Sequence, residues 1–332
     1  MTRVAVVAGG TAGVGLASAR ALADRGWDVA VLARDEARLR ATVTDLEGRG
    51  RRALGITTDM SDAGAVERAA DRVEAELGAI GLWVNGPMVG AIGGFLDVDV
   101  AEFDRVTAVT YLGFVNGTRA ALRRMVPRDA GHVVQSGSAL AHRGMPLLSA
   151  YSGAKFATRG FTEAVIAELR HARSRVRISM VELPSLSTPQ YDWISSHLPH
   201  HPRPIPPVFD PEAAARVVAY VAEHPRTRTW VGEPSLVVIL ANRISGGLFD
   251  RLVGRFGFAV QQAPEQREPM LPANLLGPTP GDVGVHGSFH GRVVAGSPQL
   301  WALTHRRAAA ALGTAVAAAG AAALVTGFAR RA

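Results

Sequence analysis

Cysteine is absent from the 332 residues. That excludes disulfides, thiolate nucleophiles, iron–sulfur clusters and cysteine-ligated zinc together. Lysine is almost absent: of 36 basic residues, only Lys155 is a lysine. Aromatic residues make up just 6%, so the 48% apolar content rests on Ala, Val, Leu and Ile, enough for a sizeable core. The opening MTRVAVVAGG has no signal-peptide layout, which points to a cytoplasmic setting. No repeat of fixed period is present.

The net charge of +7 is unevenly placed, since Arg306, Arg307, Arg330 and Arg331 contribute four of the seven excess charges. The remaining residues lack the basic excess that a nucleic-acid footprint requires, and no nucleic-acid partner is expected. A chain that nearly always uses arginine but keeps Lys155 marks a position where a compact ammonium is needed.

What the chain does contain is an alternation of short apolar runs with amphipathic stretches. Strands are expected at Arg3–Ala8, Asp28–Ala33, Arg52–Thr57, Leu82–Asn85, His132–Ser136, Arg177–Glu182 and Thr229–Gly232. Helices are expected at Val14–Arg25, Glu36–Gly48, Asp62–Leu77, Val100–Val126 with a bend, Tyr151–His171 and Pro211–His224. This is an α/β chain with a doubly wound, seven-stranded parallel sheet of Rossmann type, flanked by helices and followed by a C-terminal extension. We divide it into a main α/β domain (1–262), a Pro/Gly-rich and poorly packed connector (263–305), and an Ala-rich apolar helix (306–332). Prolines between Pro184 and Pro211 crowd around Tyr191, Trp193, Ile194, Leu198 and Phe209, reading as a long apolar lid.

Three motifs carry chemistry. The first strand runs into Gly9-Gly10-Thr11-Ala12-Gly13-Val14-Gly15 and then a helix, the arrangement that lets a pyrophosphate approach backbone and helix N-terminus. The second strand ends in Ala33-Arg34-Asp35. It offers no carboxylate at Ala33 to accept from a ribose 2′-hydroxyl, whereas Arg34 suits a 2′-phosphate, so NADP(H) is favoured over NAD(H). Ser138 is followed by Tyr151 and Lys155, the last two at i and i+4 on one helix face. A phenol works as an acid–base group near neutrality only beside a cation, which Lys155 supplies.

These residues resemble the short-chain dehydrogenase/reductase family over about residues 1–232. The resemblance implies that Gly9, Thr11, Gly13, Val14 and Gly15 form the cofactor turn, with Ala8 in place of the family's threonine. It implies that Asp59 contacts adenine with Met60 following, and that Asn85 and Gly86 stand in the Asn-Asn-Ala-Gly segment, where Gly86, Pro87 and Met88 depart from the pattern. Ser138, Tyr151 and Lys155 fall on the catalytic serine, tyrosine and lysine. Pro184, Leu186 and Thr188 fall on the stretch that packs against nicotinamide, with Ser185 in place of glycine. Thr110 stands where the family has a helix asparagine that holds a water beside the lysine; its hydroxyl binds water but lacks an amide's reach.

The expected function is interconversion of a carbonyl and an alcohol on a small apolar substrate, with Met88, Met145, Leu147, Leu148, Tyr191 and Trp193 lining its pocket. A homo-oligomer is expected. The alternative is a non-catalytic, NADP(H)-binding regulatory protein on the same fold, motivated by Thr110, Pro87 and Ser185. His197, His200 and His201 sit among prolines with few acidic neighbours, reading as a solvated loop, and no metal is expected. Ala308–Ala329 is 22 residues without charge, long enough to cross a bilayer at ~1.5 Å per residue. Alanine is weakly hydrophobic, so the tail reads as membrane-surface associated through its flanking arginines, as a docked or dimerising helix on Gly313, Gly320 and Gly327, or as loose.

Overall fold

The computed structural model describes residues 3–232, 245–266, 271–289, 291–306, 308–312 and 314. The chain divides into two compact units, Met1–Ala295 and Gly296–Ala332. In the second, a helix at Pro298–Thr304 is capped by Ser297, whose hydroxyl accepts from the Leu300 N–H at 3.2 Å. Most of the alanine-rich tail lies outside the described residues. Among the described residues, no helix is long and apolar enough to cross a membrane.

The first unit is built on seven parallel strands: β1 (Val4–Ala8), β2 (Asp28–Ala33), β3 (Ala53–Thr57), β4 (Ile80–Asn85), β5 (His132–Ser138), β6 (Arg177–Leu183) and β7 (Arg228–Trp230). Their spatial order is β7-β6-β5-β4-β1-β2-β3. The expected strands and this parallel sheet agree, apart from ends that move by one or two residues. Central strands such as β1 are fully buried, which is why they read as unbroken apolar runs rather than alternating ones.

The helices are α1 (Gly13–Ala23), α2 (Glu36–Gly48), α3 (Ala63–Glu76), α4 (Val100–Thr107), α5 (Gly113–Met125), α6 (Ser149–His171) and α7 (Pro211–Glu223). Val66, Ala70, Ala121, Met125 and Leu169 from α3, α5 and α6 form one core with Val4, Val6, Leu32, Trp83 and Ile178 of the sheet. Leu16 and Ala17 of α1 meet Ala215 of α7 in another cluster. The expected bend in the long helix is a π-turn at Ala108–Leu112, between α4 and α5. Such turns insert one residue into the helical ladder and re-aim the side chains after it.

The proline-rich segment after β6 is ordered into a short helix at Gln190–Trp193 and two-residue or three-residue strands at Ser195–Ser196, His200–Pro202 and Val208–Phe209. His197 is exposed in the loop between two of these strands, its Nε2 2.7 Å from Glu102 Oε2, whereas His200 and His201 belong to a strand. Of the expected connector, residues 263–266 belong to a strand that pairs with His200–Pro202, and 271–289 pack within the first unit. Leu275 and Val285 are each only 4% exposed. Two isolated apolar anchors in a Pro/Gly-rich stretch leave no periodic signature, which is why composition suggests looseness.

Candidate active site

The turn after β1 keeps itself clear of side chains. Gly9 has φ +77°, a left-handed conformation that favours glycine, and a Cβ at Gly15 would collide with the Gly9 carbonyl. A long cleft runs from this turn past Leu32–Asp35, Thr58–Met60 and Gly86–Gly90 to Thr188–Gln190. It brings together Gly9, Thr11, Gly13, Val14, Gly15, Arg34, Asp59, Met60, Gly86 and Thr188. A side-chain-free turn at a helix start, with cations at the end of β2, fits a dinucleotide phosphate.

Asp35 caps α2, its carboxylate accepting from the Arg38 N–H at 2.8 Å. Arg34 is thereby left for the cleft, and burial lowers its pKa, with Arg105 and Arg38 acting in the same direction and Asp59 against them. Arg38, one turn along α2, also lines the cleft and lies 5.5 Å over the Trp193 ring. The motif reading omitted Arg38. Its signal was an arginine four residues after Arg34, on a helix entering the cleft. The Asp59 carboxylate is held by Ser61 and by Arg105 at 2.5 Å.

Asn85 is placed differently from expectation. Its carboxamide is completely buried behind the cleft, bonded to Trp83 Nε1 (2.8 Å), Thr118 Oγ1 (3.1 Å) and Gln135 Oε1 (3.0 Å). Thr110, on the π-turn, spends its hydroxyl on one backbone unit. It donates to the Val89 carbonyl at 2.9 Å and accepts the Val89 N–H at 3.2 Å.

Beside the cleft, Ser138 closes β5 while Tyr151 and Lys155 project from the first turns of α6. Ser138 Oγ accepts the Leu140 N–H at 3.1 Å and is hydrogen-bonded to Tyr151. Burial raises the Tyr151 pKa, the bond to Ser138 lowers it, and the charge of Glu182 raises it. Lys155 Nζ donates to the Ser136 carbonyl at 3.0 Å and sits 4.4 Å from the Phe114 ring centroid. Burial pulls its pKa down to about 7, against an upward push from Glu182. Ser138, Tyr151 and Lys155 therefore share one nearly dry corner.

That corner opens into a second, mostly apolar pocket, which shares Val14, Gly86, Met88, Thr188 and Gln190 with the cleft. Met88, Met145, Leu148 and Tyr191 line it, and so do Pro184 and Leu186, which the family resemblance assigns to the nicotinamide. Leu147 and Trp193 do not. Leu147, at φ +68°, packs behind the pocket with Ile92, Ile194 and Leu198, while Trp193 faces the cleft. The sequence reading missed Arg143, Ile205 and the cis Pro206–Pro207 pair on the pocket wall. These lie on loops, where no periodicity assigns a face.

A doubly wound parallel sheet with a glycine turn after β1, and a Ser–Tyr–Lys cluster at the carboxyl ends of its strands, defines a nicotinamide-dependent oxidoreductase. The profile of the short chain dehydrogenase family matches residues 3–197, and the chain belongs to that family. It is 30% identical over 271 residues to the uncharacterized oxidoreductase YxnA of Bacillus subtilis (strain 168), across 80% of this chain and 76% of that protein. Its fold is similar to a metagenomic short-chain oxidoreductase solved in complex with NADP (TM-score 0.58, 27% identity, 69% of this chain and 96% of that one). It is also similar to the alcohol dehydrogenase of the archaeon Thermococcus sibiricus complexed with 5-hydroxy-NADP (TM-score 0.61, 23% identity, 70% and 95%). The protein is an NAD(P)-dependent dehydrogenase/reductase acting on CH–OH groups.

Proposed function

We propose that this protein is an NADP(H)-dependent enzyme interconverting the carbonyl and alcohol forms of a small apolar substrate, with Tyr151 as its acid–base group. The observation that carries this reading is the hydrogen-bonded Ser138–Tyr151 pair beside the buried Lys155, at the junction of cleft and apolar pocket. Bound nicotinamide supplies or takes up hydride at the substrate carbon. In reduction, Tyr151 gives its phenolic proton to the carbonyl oxygen, and in oxidation it takes that proton back. Ser138, which already accepts from Leu140, donates its hydroxyl hydrogen to the same oxygen and orients it. Lys155 stabilises the phenolate left behind, and through the Ser136 carbonyl it is fixed to the strand that carries Ser138. Thr110 positions Val89 in the cleft wall.

Preference for NADP(H) is supported by Arg34 and Arg38 at the end of β2 and by the NADP bound to the metagenomic relative. The exposed Leu112 and Phe156 on adjoining helices support a homo-oligomer. The flanking arginines of the tail support contact with an anionic membrane surface. If so, the full chain sediments with anionic vesicles at low salt, and a chain ending at Ala302 stays in solution. An NADPH-consumption screen over ketones and aldehydes tests the activity. Tyr151→Phe should abolish most turnover with cofactor binding retained; unchanged turnover would refute the assignment. Arg34→Ala should weaken NADPH about ten- to a hundredfold and NADH little.

A further inference from the structure

Residues 271–289 follow the cofactor cleft from Arg34 past the glycine turn to Thr188 and are bonded to both of its walls. On the first wall, the Gly13 N–H donates to the Gly284 carbonyl at 3.0 Å. Arg105 Nε donates to the Leu275 carbonyl at 3.0 Å. On the second wall, the Asn274 N–H donates to the Trp193 carbonyl at 3.1 Å and the Gly287 N–H to the Ser187 carbonyl at 3.3 Å. The Ser288 N–H and hydroxyl both donate to the Asp192 carboxylate.

The segment is also pinned from below. Leu275 is buried among Val89, Val106, Val109 and Ala150, and Val285 among Leu16, Ala17 and Ala215. Gly287 lies so close to the chain that a Cβ there would collide with the Thr188 carbonyl. Asn274 and Pro278 themselves line the cleft. All of this lies well beyond residue 197, where the family match ends.

The contact that matters is with Arg34. Its Nη1 donates to the Leu275 carbonyl at 3.2 Å and its Nη2 to the Asn274 carbonyl. A guanidinium carries five N–H donors in a rigid plane, so two are used here and three remain, one of them on Nε. Without those carbonyls, Arg34 would be a long, freely rotating side chain repelled by Arg38 and Arg105. With them, its plane is fixed before any ligand arrives.

We propose that residues 271–289 form a strap that is part of the cofactor site. In it, the main-chain carbonyls of Asn274 and Leu275 hold the Arg34 guanidinium in the orientation that receives a 2′-phosphate, so the strap sets selectivity for the phosphorylated dinucleotide. This rests on the reading of Arg34 given above. The strap adds no charge of its own at Arg34. It removes the ordering cost that a bidentate phosphate contact would otherwise carry, and this gain reaches only a ligand with a 2′-phosphate.

The test uses the full chain and titrates NADPH and NADH by fluorescence, with no substrate present. Gly287→Val drives the strap off the Thr188 carbonyl, and Leu275→Ala loosens its anchor while keeping both carbonyls. In either variant NADPH affinity should fall about tenfold or more and NADH affinity should change less than twofold. Amide hydrogen exchange should rise at Asn274 and Gly287 and stay low in β1 and β4, which shows that the domain remains folded. If Gly287→Val does not fold, Leu275→Ala alone decides. Equal weakening of both cofactors, unchanged NADPH affinity, or tighter NADPH binding each overturns the strap's role. If Arg34→Ala removes selectivity while both strap variants keep it, the strap fails and the Arg34 reading stands. If Arg34→Ala leaves selectivity intact, both fail.

Discussion

Glu182 and His142 meet at 3.2 Å, Oε1 to Nε2, with both side chains shut away from solvent. Arg159 Nη1 lies 2.8 Å from the other ring nitrogen, Nδ1. A guanidinium only donates, so Nδ1 accepts and the ring hydrogen sits on Nε2, aimed at Glu182. Glu182 is paired across the sheet with Gly137, the residue before Ser138, and its second oxygen has no hydrogen-bond partner among the described residues. A buried carboxylate thus stands beside the strand end that carries Ser138.

Removing that charge should move the pH profile. The charged and titratable groups facing Glu182 are His142, Arg228 at 3.9 Å, Lys155 and Tyr151. Glu182 raises the pKa of both Tyr151 and Lys155, so Glu182→Gln should lower both. With Tyr151 in the acid role proposed above, reduction requires its protonated form, and the alkaline limb should therefore begin at lower pH in the variant. A profile that loses amplitude without moving would assign Glu182 a packing role alone.

His132 predicts acid sensitivity. Its ring lies between Ser179 Oγ (2.8 Å) and the Ala222 carbonyl (3.3 Å), and burial lowers its pKa from 6.5 to about 4. The neutral ring costs nothing above the unfolded value. Below it, the unfolded chain takes up a proton that the folded chain refuses. Stability is therefore full above pH 6.5 and should fall by ~3 kcal/mol as pH drops towards 4. Denaturant unfolding of His132→Gln should be lower at pH 7 but flatter across that window.

Thr110→Val keeps the shape of the side chain and removes its hydroxyl. The Val89 N–H and carbonyl then lose their partner inside the π-turn packing, which should cost about 1–3 kcal/mol. Val89 lines the cleft, so cofactor affinity should fall with stability. Thermal unfolding together with a cofactor titration checks both.

Two helix glycines should respond in opposite senses. A Cβ at Gly117 on α5 would collide with Asn85 Oδ1 and stand 2.8 Å from Trp83 Nε1. Gly117→Ala should therefore destabilise by about 1–3 kcal/mol. Gly160, inside α6, has nothing among the described residues within 4 Å of that position. Gly160→Ala should stabilise by about 0.5–1 kcal/mol, as read by denaturant midpoints.

Much of this was legible from residues. Buried strands read as apolar runs, and Tyr151 and Lys155 read as one helix face because four residues make about one turn. Asn85 misled because a strand-end position does not say whether an amide faces the cleft or Gln135 behind it. Leu147 misled because a loop has no period to assign a side, and Trp193 because a single helical turn is too short to show one. The strap escaped notice because Arg34 is held by main-chain carbonyls, and every residue type supplies those equally.

The strand order β3-β2-β1-β4-β5-β6-β7 also sets a sequence of events on the ribosome. β1, β2 and β3 pair among themselves, and each later strand pairs with an older one: β4 with β1, β5 with β4, β6 with β5 and β7 with β6. The sheet can therefore grow outward from one edge in the order of translation, always with a single new edge to protect. The turn, Arg34 and Asp59 emerge first, Ser138, Tyr151 and Lys155 a hundred or so residues later, and the carbonyls that fix Arg34 last of all. On the roles proposed above, a nascent chain acquires its nucleotide grip before its chemistry, and its selectivity only after both.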